Sequence, residues 1–137
     1  TRDRGITTLG YFMIGNPGET REQIEDTFHF ASSVGLDFAH ISITTPFPGT
    51  ELYRMGLERG LYDHDYWREF ARDPRPDFVP RIWDERFTRE ELIELMRQGY
   101  RRFYLRPRYL LRRVIQVRSW SEFQRKAKAG LRLLSWK

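Results

Sequence analysis

Two Pro-Gly turns, each placed after an apolar run and before a helical pattern, constrain the fold of this chain more than any other feature. They occupy residues 16–19 and 47–50, and their prolines are 31 positions apart. Proline fixes φ at the second position of a type II turn, and glycine supplies the positive φ that the third position needs. A spacing of about 30 residues is typical of one strand–helix unit. The sequence therefore predicts a short repeat of strand, turn and helix.

Residues 6–14 and 37–45 are the predicted strands of this repeat. The first is a continuous apolar run whose β-branched and aromatic content favours a buried strand over a helix. Gly10 inside it indicates either close approach of a ligand or backbone, or a glycine needed for packing, and both interpretations stay open. The second strand alternates apolar with small polar residues, so one of its faces is apolar and the other polar.

Both turns follow the carboxyl end of a predicted strand, and this fixes where a ligand is expected. Parallel strands joined by a crossover helix build α/β folds, with helices covering the sheet. In these folds ligands bind beyond the carboxyl ends of the strands. The repeat therefore predicts an α/β fold whose binding edge carries the two Pro-Gly turns.

Capping signals mark where the helices begin. Thr20 with Gln23 forms a T-x-x-Q capping box, and Thr88 with Glu91 forms a T-x-x-E box. Pro107 breaks the second of these helices. Further helices are predicted over residues 108–117 and 120–136.

The composition excludes several classes of site. The chain has 137 residues and no cysteine, so it offers no disulfide, thiolate metal site or cysteine nucleophile. No apolar run approaches the roughly 18 residues of a membrane span, and we expect a cytoplasmic protein. Two strands cannot form a stable sheet alone, so we expect the missing strands in an upstream part of the same protein.

Charge divides the chain into two parts. Residues 1–100 carry 12 Lys and Arg against 18 Asp and Glu, whereas residues 101–137 carry 12 against one. The basic, amphipathic tail fits either packing on the fold with solvated charges or contact with an anionic membrane surface. Packing is the favoured interpretation.

These residues resemble a known family. A strand ending G-N-P-G-E-T, a helix containing D-T-F, and a strand ending T-P-F-P-G-T-E-L-Y are similar to the later strands of the radical S-adenosylmethionine (SAM) core, over residues 5–53. The run R-R-F-Y-L-R-P-R-Y-L-L-R-R, within residues 100–113, resembles the tail of members with a cobalamin-binding domain.

The resemblance implies an organisation and a chemistry. Residues 1–60 would form the carboxyl-terminal strand–helix units of a partial (β/α) barrel, 61–87 an irregular connector, and 88–137 a basic helical extension. A four-iron four-sulfur cluster, held by a C-x3-C-x2-C loop absent from this chain, would cleave SAM to a deoxyadenosyl radical that abstracts hydrogen. Cobalamin-dependent methyl transfer, an electron donor such as flavodoxin or ferredoxin, and a small-molecule or lipid-like substrate are also implied.

The family's fifth-strand motif, G-x-I-x-G-x-x-E, is met only loosely here. Gly15 and Glu19 are present, but one extra residue separates them. The resemblance carries a place beside SAM to Gly15, Pro17, Gly18 and Glu19. It also carries adenine contact through the backbone to Thr45 and Pro46.

Two other functions fit parts of the sequence. A nucleotide-phosphate-binding α/β enzyme could offer the backbone N–H groups of the turns to an anion, but neither G-x-G-x-x-G nor G-x-x-x-x-G-K-[ST] occurs. A non-enzymatic basic module could bind nucleic acid through the Arg and Tyr residues of its tail. No nucleic-acid-binding motif supports this second alternative.

Overall fold

The computed structural model describes residues 6–115, and in this range it contains two strands and five helices. These elements are β1 (Leu9–Ile14), α1 (Arg21–Ser33), β2 (Phe38–Ile43), α2 (Glu51–Glu58), α3 (Tyr66–Arg72), α4 (Arg89–Tyr104) and α5 (Pro107–Ile115). The helix predicted over 120–136 and most of the basic tail lie outside the described residues. Within the described range, no helix is long and apolar enough to cross a membrane.

The two strands form a parallel sheet, as predicted for an α/β fold. Leu9 pairs with Phe38 at one end of the register, and Ile14 pairs with Ile43 at the other. Helix α1 makes the crossover between the strands. The architecture is thus a strand–helix–strand unit followed by helices.

Both Pro-Gly turns are confirmed. The N–H of Glu19 donates to the carbonyl of Asn16 at 3.0 Å, and the N–H of Thr50 donates to the carbonyl of Phe47 at 3.2 Å. Gly18 has a φ of 70°, the left-handed value that the third position of a type II turn requires. The repeat of strand, turn and helix therefore exists as the sequence predicts.

The predicted helix signals are also confirmed. Thr20 and Gln23 exchange both bonds of a capping box at the start of α1, and Thr88 and Glu91 do the same at the start of α4. Helix α4 ends before Pro107, which begins α5 because its missing N–H is harmless in a first helical turn. Local sequence chemistry sets these boundaries.

The core lies on one face of the sheet. Helices α1 and α4 both cover this face, and their buried side chains meet those of the strands. The main cluster consists of Ile14, Ile24, Phe28, Ile41, Ile82, Leu92 and Leu95. Because α4 packs directly on β2, it shares a core with the sheet; the domain boundary at residue 88 stays a prediction.

Gly10 and Gly99 allow close packing in this core. A Cβ atom on Gly10 would lie 2.4 Å from Cδ1 of Leu36, so the structure supports the packing interpretation of this glycine. A Cβ atom on Gly99 would lie 2.5 Å from Cε1 of Phe28. Helix α4 approaches α1 closely because Gly99 carries no side chain.

The opposite face of the sheet is open within the described residues, so the predicted burial of the first strand is found there on one face only. Tyr11 is 74% exposed and Met13 is 51% exposed, whereas Ile14 is completely buried. The apolar run predicts burial on both faces, but α1 and α4 cover only one of them. We call the uncovered side the open face; it carries Leu9, Tyr11, Met13, Phe38, His40 and Ser42.

Two tyrosines of α4 bond to the backbone of β2 on the side away from β1. The hydroxyl of Tyr100 accepts from the N–H of Ile41 and donates to its carbonyl, both at 3.0 Å. The hydroxyl of Tyr104 does the same at Ala39, at 3.1 and 2.9 Å. Four backbone groups of β2 are therefore satisfied by side chains.

The connector, residues 61–87, is organised by aromatic packing. Tyr53 from α2 forms a buried cluster with Tyr62 and Tyr66, and Trp67 and Phe78 pack against it. Phe78 packs the Pro-rich loop, residues 73–80, and the buried Trp83 follows this loop. Apart from the short helix α3, the connector has no regular secondary structure. It is nevertheless well packed.

Candidate functional site

The carboxyl edge of the sheet brings the two strand ends and the first turn together. Thr44, directly after β2, is fully buried, and its N–H donates to the carbonyl of Ile14 at 2.9 Å. Its hydroxyl donates to Oδ1 of Asn16, also at 2.9 Å. A buried polar side chain thereby ties the first Pro-Gly turn to the second strand.

Glu19 turns its carboxylate back onto its own loop. Its Oε2 accepts from the N–H of Gly15 at 2.6 Å and from the N–H of Asn16 at 2.9 Å. The side-chain amide of Asn16 donates to the same oxygen at 3.4 Å. These bonds give Glu19 a definite role in shaping the loop. Its predicted ligand contact stays a prediction.

The two glycines of the first turn occupy different environments. Gly15 is buried with a φ of 76°, and a Cβ atom there would lie 2.9 Å from Cδ1 of Leu92. Gly18 is exposed, and a Cβ atom there would meet nothing within 4 Å. Gly15 therefore seats the loop on α4, while Gly18 and the half-buried Pro17 leave the loop's outer side open to an approaching molecule.

The predicted pair at the end of β2, Thr45 and Pro46, sits beside the second turn. The hydroxyl of Thr45 donates to the carbonyl of Ile43 at 3.2 Å. Pro46 is buried, and its carbonyl accepts from the indole N–H of Trp67 at 3.2 Å. The aromatic cluster of the connector thus holds the backbone of this second segment in place.

Sequence reasoning missed Glu85, which bonds to the backbone N–H of the first turn and leaves the side-chain direction of Gly18 open. Its Oε2 accepts from the N–H of Gly18 at 3.2 Å and from the indole N–H of Trp83 at 3.0 Å. Arg59, just after α2, pairs with its other oxygen at 3.2 Å. Glu85 is 67 positions from Gly18, and no local motif in the sequence signals this contact.

The polar residues of the open face do not form a metal site. His40 is exposed, and its ring contacts that of Tyr11 with 5.5 Å between centroids. Among residues 6–115, no group of three or more His, Asp and Glu side chains is arranged to hold a metal ion. The chemistry available at this edge is backbone hydrogen bonding, shape and charge.

The contact between Glu85 and the first turn predicts a pH dependence. The Trp83 indole N–H, together with the N–H of Gly18 and the Arg59 charge, holds the pKa of the Glu85 carboxyl below its usual value. A lowered folded-state pKa means that the interaction stabilises the fold above the unfolded pKa. This contribution is lost as the pH falls through the folded pKa. We expect the NMR shift of the Trp83 indole proton to titrate with a midpoint below 4.5, the usual value for Glu.

Two variants test this assignment. Glu85→Gln keeps an acceptor but removes the charge, so the titration of the Trp83 indole proton should disappear. Asp84→Asn, at the exposed neighbouring position, should leave the titration unchanged. An unaltered titration in Glu85→Gln would show that another carboxyl group is responsible.

Comparison with known proteins gives several named relatives. The chain is 37% identical over 113 residues to an uncharacterized methyltransferase of Pyrococcus horikoshii, covering 82% of this chain and 23% of the relative. It is 32% identical over 106 residues to an anaerobic magnesium-protoporphyrin IX monomethyl ester cyclase of Cereibacter sphaeroides, covering 77% and 16%. It is 39% identical over 62 residues to a tRNA-2-methylthio-N(6)-dimethylallyladenosine synthase of Deinococcus radiodurans, covering 44% and 12%.

The named relatives are all enzymes, and their names are consistent with the resemblance to the radical SAM superfamily. No protein-family model matches the chain, and no solved structure matches it significantly. The chain spans less than a quarter of the length of each of these relatives, at 23%, 16% and 12%.

Proposed function

We propose that this chain is the carboxyl-terminal part of the core of a radical SAM enzyme, and that its two Pro-Gly turns help to bind SAM. The observation that carries the proposal is the joining of Thr44 to Asn16, which places the first turn beside the end of β2 at the carboxyl edge of a parallel sheet. The identity of 37% with a methyltransferase over most of the chain supports it. Bound SAM would supply the radical that abstracts hydrogen from the substrate.

The environment of this edge supports the proposal. A side chain at Gly18 would meet nothing within 4 Å, and Thr45 is half-buried at the same edge. Adenine contact through the backbone of Thr45 and Pro46 is proposed from the family resemblance; Pro46 is buried and its carbonyl already accepts from Trp67, so the half-buried Thr45 is the more accessible of the two. The cluster ligands must come from the rest of the protein, because this chain has no cysteine.

Each site residue has a role that follows from its environment. Gly15 seats the loop on Leu92, and Glu19 fixes the loop's shape through three donors on one oxygen. Pro17 and Gly18 present the outer surface of the turn to the ligand. Glu19 acts on SAM mainly through the loop that it orders, so Glu19→Ala should weaken SAM binding by loosening the loop.

Methyl transfer is the finer reaction that we propose, because the first relative is named a methyltransferase. The dependence on cobalamin comes from the resemblance of residues 100–113. The electron donor, a flavodoxin or ferredoxin, and the small-molecule or lipid-like substrate are proposed from the resemblance to the radical SAM superfamily as a whole. Contact of the basic tail with an anionic membrane is a separate proposal, based on the 12 Lys and Arg among residues 101–137.

The experiment that tests the proposal uses the full-length protein, reconstituted anaerobically with iron and sulfide. We expect SAM and a reductant to yield deoxyadenosine. Gly18→Ala should weaken SAM binding about tenfold, which corresponds to about 1.4 kcal/mol. Alanine is strained at the φ of 70°, so the turn of the variant moves away from this conformation. SAM binding must then restore the original turn, at a cost of about 1–3 kcal/mol.

Gly35→Ala is the matched control. Gly35 has a φ of 74°, but it lies between α1 and the amino end of β2, at the edge of the sheet opposite the candidate site. The same strain there should leave the SAM affinity unchanged. No deoxyadenosine from a cluster-loaded wild type would contradict the proposed function. Equal SAM affinity in the wild type and Gly18→Ala would place the SAM site elsewhere.

A further inference from the structure

A groove runs from the carboxyl end of the open face to the start of α4. Its volume is about 530 Å³, within the range of small-molecule sites. Strands β1 and β2 contribute one side, and the second turn and the Pro-rich loop contribute the other. Its lining consists of Met13, Ser42, Ile43, Thr45, Phe47, Val79, Pro80 and Arg89.

The walls of the groove are mainly apolar and exposed. Met13, Phe47 and Val79 are 51%, 53% and 63% exposed, although each has a large apolar side chain. The hydroxyls of Ser42 and Thr45 are directed to backbone carbonyls, at 3.4 and 3.2 Å. The walls therefore suit the apolar body of a ligand.

Arg89 is the one charged side chain in this lining. It is half-buried, and one of its terminal nitrogens donates to the carbonyl of Pro80 at 2.6 Å, which anchors the guanidinium on the groove. Within residues 6–115, no carboxylate forms an ion pair with Arg89. A guanidinium has five N–H donors in a fork that matches carboxylate and phosphate oxygens, so most of this capacity remains for a ligand.

The position of Arg89 in its helix is costly for stability. Arg89 is the first residue of α4, where the helix dipole disfavours a cation and favours the acidic residues that follow, Glu90 and Glu91. The helix dipole therefore does not favour an arginine at this position. An anion in the groove would offset this disadvantage.

We propose that the groove binds a small molecule with an apolar body and an oxyanion, a carboxylate or a phosphate, which pairs with Arg89. If the proposed function is right, this molecule is the substrate of the enzyme. The binding of an oxyanion at Arg89 does not depend on that function. The groove opens onto the same edge as the candidate SAM site, so a ligand held by Arg89 would have its apolar body next to Thr45 and the open face.

Simple amphiphiles test the groove in the full-length protein. Octanoate and octyl phosphate supply the two oxyanions, while octanol and octylamine carry the same chain without one. We expect one of the oxyanion probes to bind at least about tenfold more tightly than octanol and octylamine, measured by calorimetry. The tighter of the two decides between carboxylate and phosphate.

Variants assign the binding to Arg89. Arg89→Gln should bring the oxyanion affinity to the level of octanol, and Arg89→Lys should retain part of it because the charge remains. Arg86→Gln, at an exposed position outside the groove, should change nothing. Circular dichroism checks that each variant folds, and Arg89→Lys provides a second comparison should Arg89→Gln misfold.

The two proposals fail in different ways. If the wild type shows no preference for oxyanions, or if Arg89→Gln keeps that preference, the groove proposal is wrong even where deoxyadenosine forms. If the preference depends on Arg89 but the cluster-loaded enzyme forms no deoxyadenosine, the groove stands and the radical SAM proposal fails.

Discussion

Gly99→Val is expected to destabilise the packing of α4 on the sheet by about 3 kcal/mol, at the upper end of the usual cost of overpacking. The first added carbon would lie 2.5 Å from the ring of Phe28 and 2.8 Å from Cδ1 of Ile41. The end of Ile41 can rotate, but the ring of Phe28 is only 4% exposed and is enclosed by the core. Amide hydrogen exchange in α4 and β2 of the full-length protein measures the loss.

Gln98→Val provides the matched control because it places the same residue at the exposed neighbouring position of α4. It should cost only the difference in helix propensity and the exposed bond from Gln98 to Glu94, together within about 1 kcal/mol. Gly99→Ala should lie between the two, since better helix propensity offsets part of its overpacking. Equal protection in Gly99→Val and Gln98→Val would mean that α4 is not held as closely as the structure shows.

The double substitution Tyr100→Phe and Tyr104→Phe is expected to destabilise β2 by about 4 kcal/mol. Each hydroxyl serves one N–H and one carbonyl of the strand, and a polar group left without a partner costs about 1–3 kcal/mol. The rings, and therefore the apolar packing, stay in place. Faster hydrogen exchange at Ala39 and Ile41 is the specific signature.

Tyr11→Phe controls for the loss of a hydroxyl as such, since Tyr11 is 74% exposed on the other strand. Its effect should stay within about 0.5 kcal/mol. Single substitutions at Tyr100 and Tyr104 should each show about half of the double effect. Unchanged exchange at Ala39 and Ile41 in the double variant would contradict the prediction. It would mean that water forms the hydrogen bonds of the missing hydroxyls without loss of stability.

The sequence predicted those parts of the fold that depend on neighbouring residues. A capping box needs two residues three positions apart, and a type II turn needs proline followed by glycine, so Thr20, Thr88 and Gly18 could be interpreted without the rest of the chain. The break at Pro107 follows equally from local sterics. For the same reason the location of both turns at a carboxyl edge was predictable.

Contacts between distant residues could not be predicted in this way. Glu85 reaches Gly18 across 67 positions, and Tyr100 reaches Ile41 across 59, and neither pair forms a recognisable pattern. The first strand was predicted as buried, and within the described residues it is buried on one face only, because an apolar run does not say how many of its faces are covered. The ligand roles of the six site residues stay predictions, although the structure now assigns Glu19 and Gly15 definite places in the loop.

The bonds from Tyr100 and Tyr104 to β2 have a consequence for how a larger sheet can be assembled. They occupy the backbone groups of Ala39 and Ile41 that a neighbouring strand would otherwise use. Another strand, whether from the same protein or from a second copy, must therefore join on the far side of β1. A barrel built on this sheet cannot close by pairing through β2, because α4 covers that edge of the strand. The same helix protects the chain from aggregation by strand addition at β2.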